Sequence, residues 1–379
     1  MRILLVGGGS GGHVTPLRAI SSHILNDTAI MLSVITDRGF VSQTRQLFED
    51  FPEITVKPIF AGKFRRYHSK SFIWHIIHLP TLLKNLRDIL YVVFGFMQSL
   101  RYFILHKPDV VFCKGGFVCI PVGLVARLFN VKLVIHDSDT RPGLTNKILS
   151  RWACVIATGM PVSFYPYPKA KMRYVGMPVD TSYQIVSKKQ QSQYKAKLGF
   201  SADQKIVLIT GGGNGSVPLN TIVMSAAEEL LAAGWGIIHL AGKDKSAAVV
   251  KARELLSNSD QTNWQIAEFT DMVPRMLAAD VVVARTSATT LQECANTQKV
   301  VIGVPSPHLL DQGMNAQYFA SKGAITALDE SSLTGDDLAT LVGKTVSDTK
   351  YQKQAKKLHS YFAKPKAAEQ LARMLVKQQ

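Results

Sequence analysis

Short apolar runs alternate with helical patterns along the whole chain, and this alternation restricts the fold more than any other feature. Each run precedes small residues and a helical spacing of apolar positions. Examples are Ile3–Val6, Ile30–Ile35, Val110–Cys113, Leu133–Ile135, Ile206–Thr210, Gly236–Leu240, Val281–Ala284 and Val300–Val304. Strands that alternate with helices form parallel sheets with helices on both faces. The runs lack polar alternation, which fits strands buried on both sides. The predicted fold class is therefore α/β.

The series of strands restarts near the middle of the chain. Proline and glycine cluster at Gly176–Pro178, a polar stretch follows at Ser187–Lys197, and a new strand, KIVLIT, enters a second glycine loop at Gly211–Ser216. A chain of 379 residues also exceeds the ~250–300 residues at which single cores stop growing. We predict two doubly wound domains, residues 1–175 and 176–361, with a C-terminal helix at 362–379 that packs back on the first.

The charge of the chain predicts an anionic partner. The formal net charge is +17, and residues 57–107 carry many Lys and Arg, interleaved with aromatic residues, against one acid, Asp88. Such a stretch is typical of a surface that lies on an anionic bilayer. It is equally typical of packed helices with a solvated basic face, and both interpretations stay open here. A nucleic-acid partner is not expected, because no recognisable reader module accompanies the patch.

Targeting signals and cysteines bear on the location of the chain. Ile89–Leu105 contains Gln98 and Arg101 and falls short of the ~20 apolar residues of a membrane span. The N-terminus shows no signal-peptide pattern. The cysteines at positions 113, 119, 154 and 294 form no Cys-x-x-Cys pair and no zinc spacing, so we expect reduced thiols. The expected location is the cytoplasmic face of a membrane, with peripheral attachment.

The first glycine loop, GGGSGGH, follows the first strand. Gly7, Gly9 and Gly12 satisfy G-x-G-x-x-G, and Asp37 ends the second strand at about the ribose-binding distance, which keeps an NAD-dependent oxidoreductase as an alternative. The same loop would hold any diphosphate, because glycines admit backbone amides and a helix N-terminus favours negative charge. A tight turn without a ligand is the structural alternative. His13 lies where acid/base chemistry on a hydroxyl could use it, or where it merely packs on the helix.

Two further loops follow strand ends in the first half. Lys114, Gly115 and Gly116 follow the strand DVVFC and form a possible second anion loop. His136 and Asp137 begin the block HDSDTRPGLTNK, whose spacing matches no standard metal site, so we expect polar loop contacts and no metal.

Hydroxyl residues crowd a predicted helix start in the second half. The strand DVVVA runs into RTSATTLQE, which places Thr286–Thr290 where hydroxyl and amide groups can bind phosphates, and Glu293 where a carboxylate can take both hydroxyls of a ribose. An ordinary capping box is the alternative interpretation. Asp311 and Gln312 follow the next strand, at the sheet edge where doubly wound folds bind ligands.

The ordered set of motifs resembles the MurG family, the N-acetylglucosaminyltransferases that make lipid II in peptidoglycan synthesis. The matching motifs are Gly-Gly-x-Gly-Gly-His, Lys-Gly-Gly-Phe, His-acid-x-x-x-x-Pro-Gly-Leu-Thr-Asn-Lys, GGGNGS, RTSATTLQE and Asp-Gln-x-x-Asn-Ala, over residues 1 to about 325. The resemblance implies the GT-B fold, with two Rossmann-like domains facing a cleft, a membrane-associated N-terminal acceptor domain and a C-terminal donor domain. It also implies metal-independent, inverting transfer of GlcNAc from UDP-GlcNAc to an undecaprenyl-diphosphate-linked muramyl-pentapeptide, without a cofactor.

The resemblance implies a role for each matched position. His13 is the expected base for the acceptor hydroxyl. The residues expected to face the acceptor diphosphate are Gly8, Gly9, Ser10, Gly11, Gly12, Gly115 and Gly116. The residues expected to bind the donor are Gly213, Asn214, Thr270, Ala288, Thr289, Thr290, Leu291, Gln292, Glu293 and Gln312. Thr270 occupies the position that contacts uracil through its backbone.

Two donor-side positions depart from the family pattern. Asp139 stands where the family usually has Asn, and Asp180 stands where it usually has Arg. A gained carboxylate near a sugar diphosphate weakens affinity unless a cation compensates. Two alternatives therefore remain besides the oxidoreductase: a related transferase that acts on diacylglycerol or another membrane acceptor, and a catalytically silent binding relative.

Overall fold

A computed structural model of the chain describes residues 1–25, 27, 29–63, 78–268 and 270–378. These residues form two compact units. The first comprises Met1–Ser138, Pro142–Pro178 and Ala367–Gln379, and the second comprises Asp139–Arg141 and Val179–Lys366. The acceptor and donor roles expected for the two domains stay predictions.

The first unit is built on a seven-stranded, all-parallel sheet in the order β3-β2-β1-β4-β5-β6-β7. Its strands are β1 (Arg2–Gly7), β2 (Met31–Asp37), β3 (Thr55–Ile59), β4 (Val110–Gly115), β5 (Lys132–Asp137), β6 (Val155–Thr158) and β7 (Met172–Tyr174). Its helices are α1 (Gly11–Ile24), α2 (Val41–Leu47), α3 (Leu79–His106), α4 (Cys119–Leu128) and α5 (Leu144–Leu149), with 3-10 turns at Arg38–Phe40, Val162–Phe164 and Lys169–Lys171. The strand order reverses between β1 and β4, and ligands of such sheets bind at this point.

The second unit repeats the arrangement with a six-stranded parallel sheet in the order β10-β9-β8-β11-β12-β13. Its strands are β8 (Ile206–Thr210), β9 (Gly236–Leu240), β10 (Trp264–Ala267), β11 (Val281–Ala284), β12 (Val300–Gly303) and β13 (Thr326–Ala327). Its helices are α6 (Lys188–Lys197), α7 (Val217–Ala232), α8 (Ala247–Glu254), α9 (Asn258–Asn263), α10 (Met272–Ala278), α11 (Ala288–Asn296), α12 (Leu310–Ser321), α13 (Gly335–Ser347) and α14 (Thr349–Phe362). The reversal lies between β8 and β11. Two doubly wound parallel sheets confirm the predicted fold class.

The last helix, α15 (Ala367–Val376), belongs to the first unit. It packs against α1, and its Leu371 and Leu375 are fully buried in the same apolar core as Leu17 and Ile20. Removing these side chains from water drives the return of the chain to the first unit.

Helix α3 is held by a face of small and polar residues. A Cβ on Gly95 would lie 2.0 Å from the Phe60 carbonyl oxygen, so the helix approaches the β3 side of the sheet closely. The Tyr102 hydroxyl hydrogen-bonds with Ser33 Oγ at 2.5 Å, and Gln98 Oε1 accepts from the Phe60 amide at 2.8 Å. These contacts fix which side of α3 faces the core.

The opposite side of α3 exposes a long apolar surface, the α3 apolar face. Its exposed side chains are Leu79, Leu82, Leu83, Leu86, Ile89, Leu90, Val93, Phe94, Met97, Ile104 and Leu105. The sequence predicted that Ile89–Leu105 is too short for a membrane span, but the helix that contains it, α3, has 28 residues and is long and apolar enough to cross a membrane by length and composition. Of its most apolar 18-residue window, 22% is buried. Residues 64–77 of the predicted membrane surface lie outside the described residues.

Candidate active site

The first glycine loop connects β1 to α1 and is held by an acidic side chain. The Asp37 carboxylate, at the end of β2, accepts a hydrogen bond from the Gly9 amide at 2.6 Å. A Cβ on Gly8 would lie 2.4 Å from the same carboxylate. Asp37 is buried, so its side chain helps to hold the shape of the loop. The spacing that indicated a ribose ligand therefore places Asp37 behind the loop.

The start of α1 supplies the amide groups of this loop. Ser10 occupies the N-cap position with extended backbone, and its side chain makes no capping hydrogen bond to the helix. Gly11 and Gly12 form the first turn, where backbone amides have no acceptors within the helix. Nothing lies within 4 Å of the position of a Cβ on Gly11. An anion at this end of α1 would meet both the amides and the favourable end of the helix dipole.

His13 lies in the same first turn and has a fixed ring orientation. Its Nδ1 is 2.8 Å from the Gly8 carbonyl oxygen and 3.3 Å from Ser10 Oγ. Since a carbonyl only accepts hydrogen bonds, Nδ1 carries the proton and Nε2 is left with a lone pair. Burial and the nearby Lys114 ammonium lower the pKa of His13 to about 4. At neutral pH the ring is therefore a neutral imidazole with an unprotonated Nε2.

The second glycine turn, after β4, lies against His13. Gly116 has φ +84°, and a Cβ there would lie 2.5 Å from the Gly8 carbonyl oxygen and 3.1 Å from His13 Nδ1. A Cβ on Gly115 would lie 3.3 Å from His13 Cδ2. Only glycine permits this approach, so the structure brings together the two loops that the sequence predicted separately.

The sequence predicted Lys114 in an anion loop but did not predict that its side chain is buried. Its side chain is 1% exposed, and its ammonium donates to Ser138 Oγ. Its positive charge helps to lower the pKa of both His13 and His136. The motif marked Lys114 as a phosphate-loop residue, but a buried side chain acts on the site through its charge.

His136 and Asp137 anchor a loop, as the sequence predicted. The buried His136 Nε2 is 2.9 Å from the Gly176 carbonyl oxygen. The Asp137 carboxylate accepts from the Tyr167 hydroxyl at 2.6 Å and from the Gly143 amide at 3.2 Å. In the part of the chain that the structure describes, no group of three or more His, Cys, Asp or Glu side chains could hold a metal ion.

The glycine loop of the second unit, between β8 and α7, turns back through Gly215. Gly215 has φ +64°, and a Cβ there would lie 2.1 Å from the Ala241 carbonyl oxygen. Lys245 Nζ donates to the Asn214 carbonyl at 2.6 Å. Gly213 and Asn214 are exposed. These two predicted donor residues therefore lie at the exposed tip of a loop that is held by the close approach of Gly215 to Ala241 and by the Lys245 hydrogen bond.

The start of α11 has the predicted hydroxyl cluster. Ser287 is the N-cap: its Oγ accepts from the Thr290 amide at 3.3 Å and lies 3.1 Å from Thr290 Oγ1. Thr286 Oγ1 donates to the Gln312 carbonyl at 2.7 Å. Ala288 and Thr289 complete the first turn, so the helix end with its free amides is preserved.

Two predicted donor residues of α11 face the protein interior. Leu291 is buried in the core. Gln292 Nε2 donates to the Phe362 carbonyl at 2.8 Å and to Asn296 Oδ1 at 3.0 Å. The contribution of these two residues to donor binding stays a prediction and would have to come from the backbone.

Glu293 lies in a strongly perturbed environment. Burial raises its pKa to about 8, and a hydrogen bond from Tyr183 opposes part of that rise. Tyr183 is buried, and its own pKa is raised by burial and by the carboxylates of Glu293, Asp271 and Asp180. An ionisable pair with shifted pKa values is typical of a functional site. The sequence pattern contained no signal for Tyr183.

The remaining predicted donor residues also belong to the second unit. Gln312 Oε1 accepts from the Ser306 amide at 3.0 Å. Asp180 Oδ1 accepts from the Ser182 amide at 2.9 Å, and Thr270 is half-buried directly before the N-cap of α10. Asp139 Oδ1 accepts from Asn315 Nδ2 at 2.9 Å. Their roles toward a donor stay predictions.

Comparison with known proteins identifies relatives over the whole chain. Residues 3–158 match the glycosyltransferase family 28 N-terminal domain, and residues 206–371 match the glycosyltransferase family 28 C-terminal domain. A protein of Bacillus cytotoxicus named UDP-N-acetylglucosamine–N-acetylmuramyl-(pentapeptide) pyrophosphoryl-undecaprenol N-acetylglucosamine transferase is 30% identical, over 98% of this chain and 97% of the relative. A protein of the same name from Staphylococcus aureus is 30% identical, over 89% of this chain and 88% of the relative.

The crystal structure of Acinetobacter baumannii MurG resembles this fold with a TM-score of 0.70 at 22% identity, covering 99% of both chains. This similarity confirms the predicted GT-B fold. With both domain families matched in order and relatives aligned over almost their full length, the chain belongs to glycosyltransferase family 28.

Proposed function

We propose that this protein is an inverting glycosyltransferase that moves GlcNAc from UDP-GlcNAc to an undecaprenyl-diphosphate-linked muramyl-pentapeptide. The observation that carries the proposal is the geometry of His13. Its Nδ1 faces the Gly8 carbonyl at 2.8 Å, which leaves the unprotonated Nε2 to accept a hydroxyl proton. The names of the full-length relatives support the choice of donor and acceptor.

The chemical step needs a base and a site for a leaving diphosphate. His13 Nε2 takes the proton of the acceptor hydroxyl while its oxygen attacks the anomeric carbon of the donor sugar. The bond from that carbon to the diphosphate oxygen breaks, and UDP leaves with the electron pair. Attack from the side opposite the leaving group inverts the anomeric configuration. The first turn of α11, from Ala288 to Thr290, would stabilise the departing charge.

The two units divide the substrates in this proposal. The amides of Gly11 and Gly12 hold the acceptor diphosphate in the first unit, with the turn Gly115–Gly116 beside it. Glu293 takes the ribose hydroxyls in the second unit, where the loop at Gly213 lies near the donor. Asp37 Oδ1 accepts a hydrogen bond from the Gly9 amide, so this carboxylate supports the loop backbone, and that contact favours the division over dinucleotide binding.

The α3 apolar face supports peripheral attachment to the cytoplasmic face of a membrane. Lys84, Arg87, Arg101 and Lys107 are exposed on or next to the same helix. An apolar stripe bordered by cations is suited to the interface of an anionic bilayer. A lipid-linked acceptor would then be reached without leaving the membrane.

A donor and acceptor panel tests the proposal. Purified protein with UDP-GlcNAc and a short-chain analogue of the lipid-linked muramyl-pentapeptide should release UDP and form a β-linked disaccharide. UDP-glucose and UDP-galactose serve as donor controls, and diacylglycerol serves as the acceptor control that detects a related transferase. The proposal fails if no UDP-sugar is turned over. Turnover of diacylglycerol alone would reassign the acceptor.

A further inference from the structure

Asn315, in the second turn of α12, is the centre of a closed hydrogen-bond network. Its side chain is 0% exposed. Oδ1 accepts from the Thr140 amide and from Thr140 Oγ1, both at 3.0 Å. Nδ2 donates to Asp139 Oδ1 at 2.9 Å and to the Thr286 carbonyl at 3.0 Å. All four hydrogen-bonding positions of the amide are therefore used.

Two of the three partners of Asn315, Asp139 and Thr286, are residues that the sequence placed at the donor site. Asp139 is one of the two acidic departures from the family pattern, and Thr286 precedes the first turn of α11. Thr286 Oγ1 also donates to the Gln312 carbonyl at 2.7 Å, three residues before Asn315. One buried amide thus joins the segment Asp139–Arg141, the entrance of α11 and the start of α12, all within the second unit.

We propose that Asn315 is a positioning residue that orients the Asp139 carboxylate and the start of α11 for the sugar of the donor. This inference rests on the proposed function. A carboxylate only accepts hydrogen bonds, so Asp139, oriented through its Oδ1, selects a sugar that presents a hydroxyl or amide N–H toward it. The Asn315 amide also links this carboxylate to the backbone that leads into the phosphate-binding turn of α11.

The network predicts which substitutions weaken binding of the donor sugar. Asn315→Asp keeps an acceptor for Thr140 but loses both donors, and it sets a second carboxylate against Asp139. We expect the KM for UDP-GlcNAc to rise about 10- to 100-fold, the range for a lost hydrogen bond to a charged group. The affinity for UDP, which lacks the sugar, should fall less than the affinity for UDP-GlcNAc.

A reciprocal exchange separates positioning from general damage. In the double variant Asp139→Asn, Asn315→Asp, the new amide at 139 can donate to the new carboxylate at 315. We expect the KM of the double variant to be at least tenfold lower than the KM of Asn315→Asp. Asn296→Asp is the matched control: Asn296 is buried, and its Oδ1 accepts from Gln292 and from the Lys364 amide, so Asp keeps that role and KM should stay unchanged.

The outcomes are measured by steady-state kinetics and by calorimetric titration with UDP and UDP-GlcNAc. Wild-type protein that binds neither ligand would contradict the proposed function itself. Binding by wild type with an unchanged KM in Asn315→Asp, or no recovery in the double variant, would overturn this inference alone. If Asn315→Asp fails to fold, Thr140→Val removes one hydroxyl donor without adding charge. A KM for UDP-GlcNAc raised about threefold or more supports the network, and an unchanged KM contradicts it.

Discussion

Substitution of His13 tests the most specific part of the site. His13→Ala removes the imidazole whose Nδ1 lies 2.8 Å from the Gly8 carbonyl. General-base catalysis contributes about 10²- to 10⁴-fold, which is about 3–5 kcal/mol of activation free energy. We therefore expect kcat to fall by that factor while the affinity for UDP-GlcNAc, which binds the second unit, stays within threefold of wild type. UDP release measures kcat, and calorimetry measures the affinity.

The pH dependence of the same reaction provides a second, independent test, because it measures the pKa of the catalytic base. With the pKa of His13 at about 4, more than nine-tenths of the base is unprotonated at any pH above about 5. The acid limb of kcat/KM reports the free enzyme and should therefore lie near pH 4, below the 6.5 of an ordinary histidine. Lys114→Met removes a nearby positive charge and should move this limb toward higher pH.

Two results would refute this assignment. One is a His13→Ala variant that keeps more than a tenth of wild-type kcat, since another group would then be the base. The other is an acid limb at pH 6.5 that Lys114→Met does not move. A lost kcat that accompanies an equally large loss of UDP-GlcNAc affinity would show that His13 supports the donor site. A His13→Gln variant, which keeps a polar side chain, controls for packing.

Three other changes have defined outcomes. Glu293 has a pKa of about 8, so UDP binding should tighten about fivefold from pH 7 to pH 9 as the carboxylate forms. Glu293→Gln should abolish this pH dependence, and a UDP affinity of the wild type that does not change with pH would contradict the ribose role. Gly215→Ala forces a Cβ to 2.1 Å from the Ala241 carbonyl oxygen, whereas Gly212→Ala, at φ +78° with nothing within 4 Å, meets only backbone strain of about 1–2 kcal/mol. Denaturant unfolding should show a larger loss of unfolding free energy for Gly215→Ala. Equal losses for the two variants would refute the close approach. Replacing Leu86, Leu90 and Val93 by Ser removes about 3 kcal/mol of apolar transfer free energy, so binding to anionic vesicles should weaken about 100-fold. Leu255→Ser, at a residue of the second unit that is 88% exposed, is the control and should leave vesicle binding unchanged. Equal binding by the wild type, the triple variant and Leu255→Ser would exclude the α3 apolar face as the membrane contact.

Central strands were predictable because they are buried on both faces. Ile206–Thr210, Gly236–Leu240 and Val281–Ala284 begin and end where the apolar runs do. Five strands were not among the predicted runs: β3, β7, β10 and β13, which are edge strands, and the short interior strand β6. β3 contains Lys57 and Pro58 among its five residues, and edge strands tolerate charge and proline that break an apolar pattern.

Local motifs predicted the loops of the site but not the direction of their side chains. The glycine loop at Gly7–Gly12 and the hydroxyl cluster at Thr286–Thr290 follow from residues adjacent in sequence. Asp37 had the spacing of a ribose ligand, yet its carboxylate turns to the Gly9 amide. The spacing is the same in either case, so the sequence could not separate them.

The buried polar network lay beyond sequence reasoning for a different reason. Asn315 contacts Thr140, which is 175 positions away in the sequence. Lys114, near the end of β4, donates a hydrogen bond to Ser138, which follows β5. No local period or propensity marks such a pair. These groups become visible only when the sheet order brings the strand ends together.

A single titration series tests the central claim, which is that the base and the donor site lie on different units. UDP-GlcNAc is titrated into wild type, His13→Ala and Glu293→Gln, and the transfer rate to the lipid-linked acceptor analogue is measured for each. We predict that Glu293→Gln loses tenfold or more in donor affinity at pH 9, while His13→Ala keeps its affinity and loses at least 100-fold in rate. Loss of donor affinity in His13→Ala with full affinity in Glu293→Gln would contradict the account.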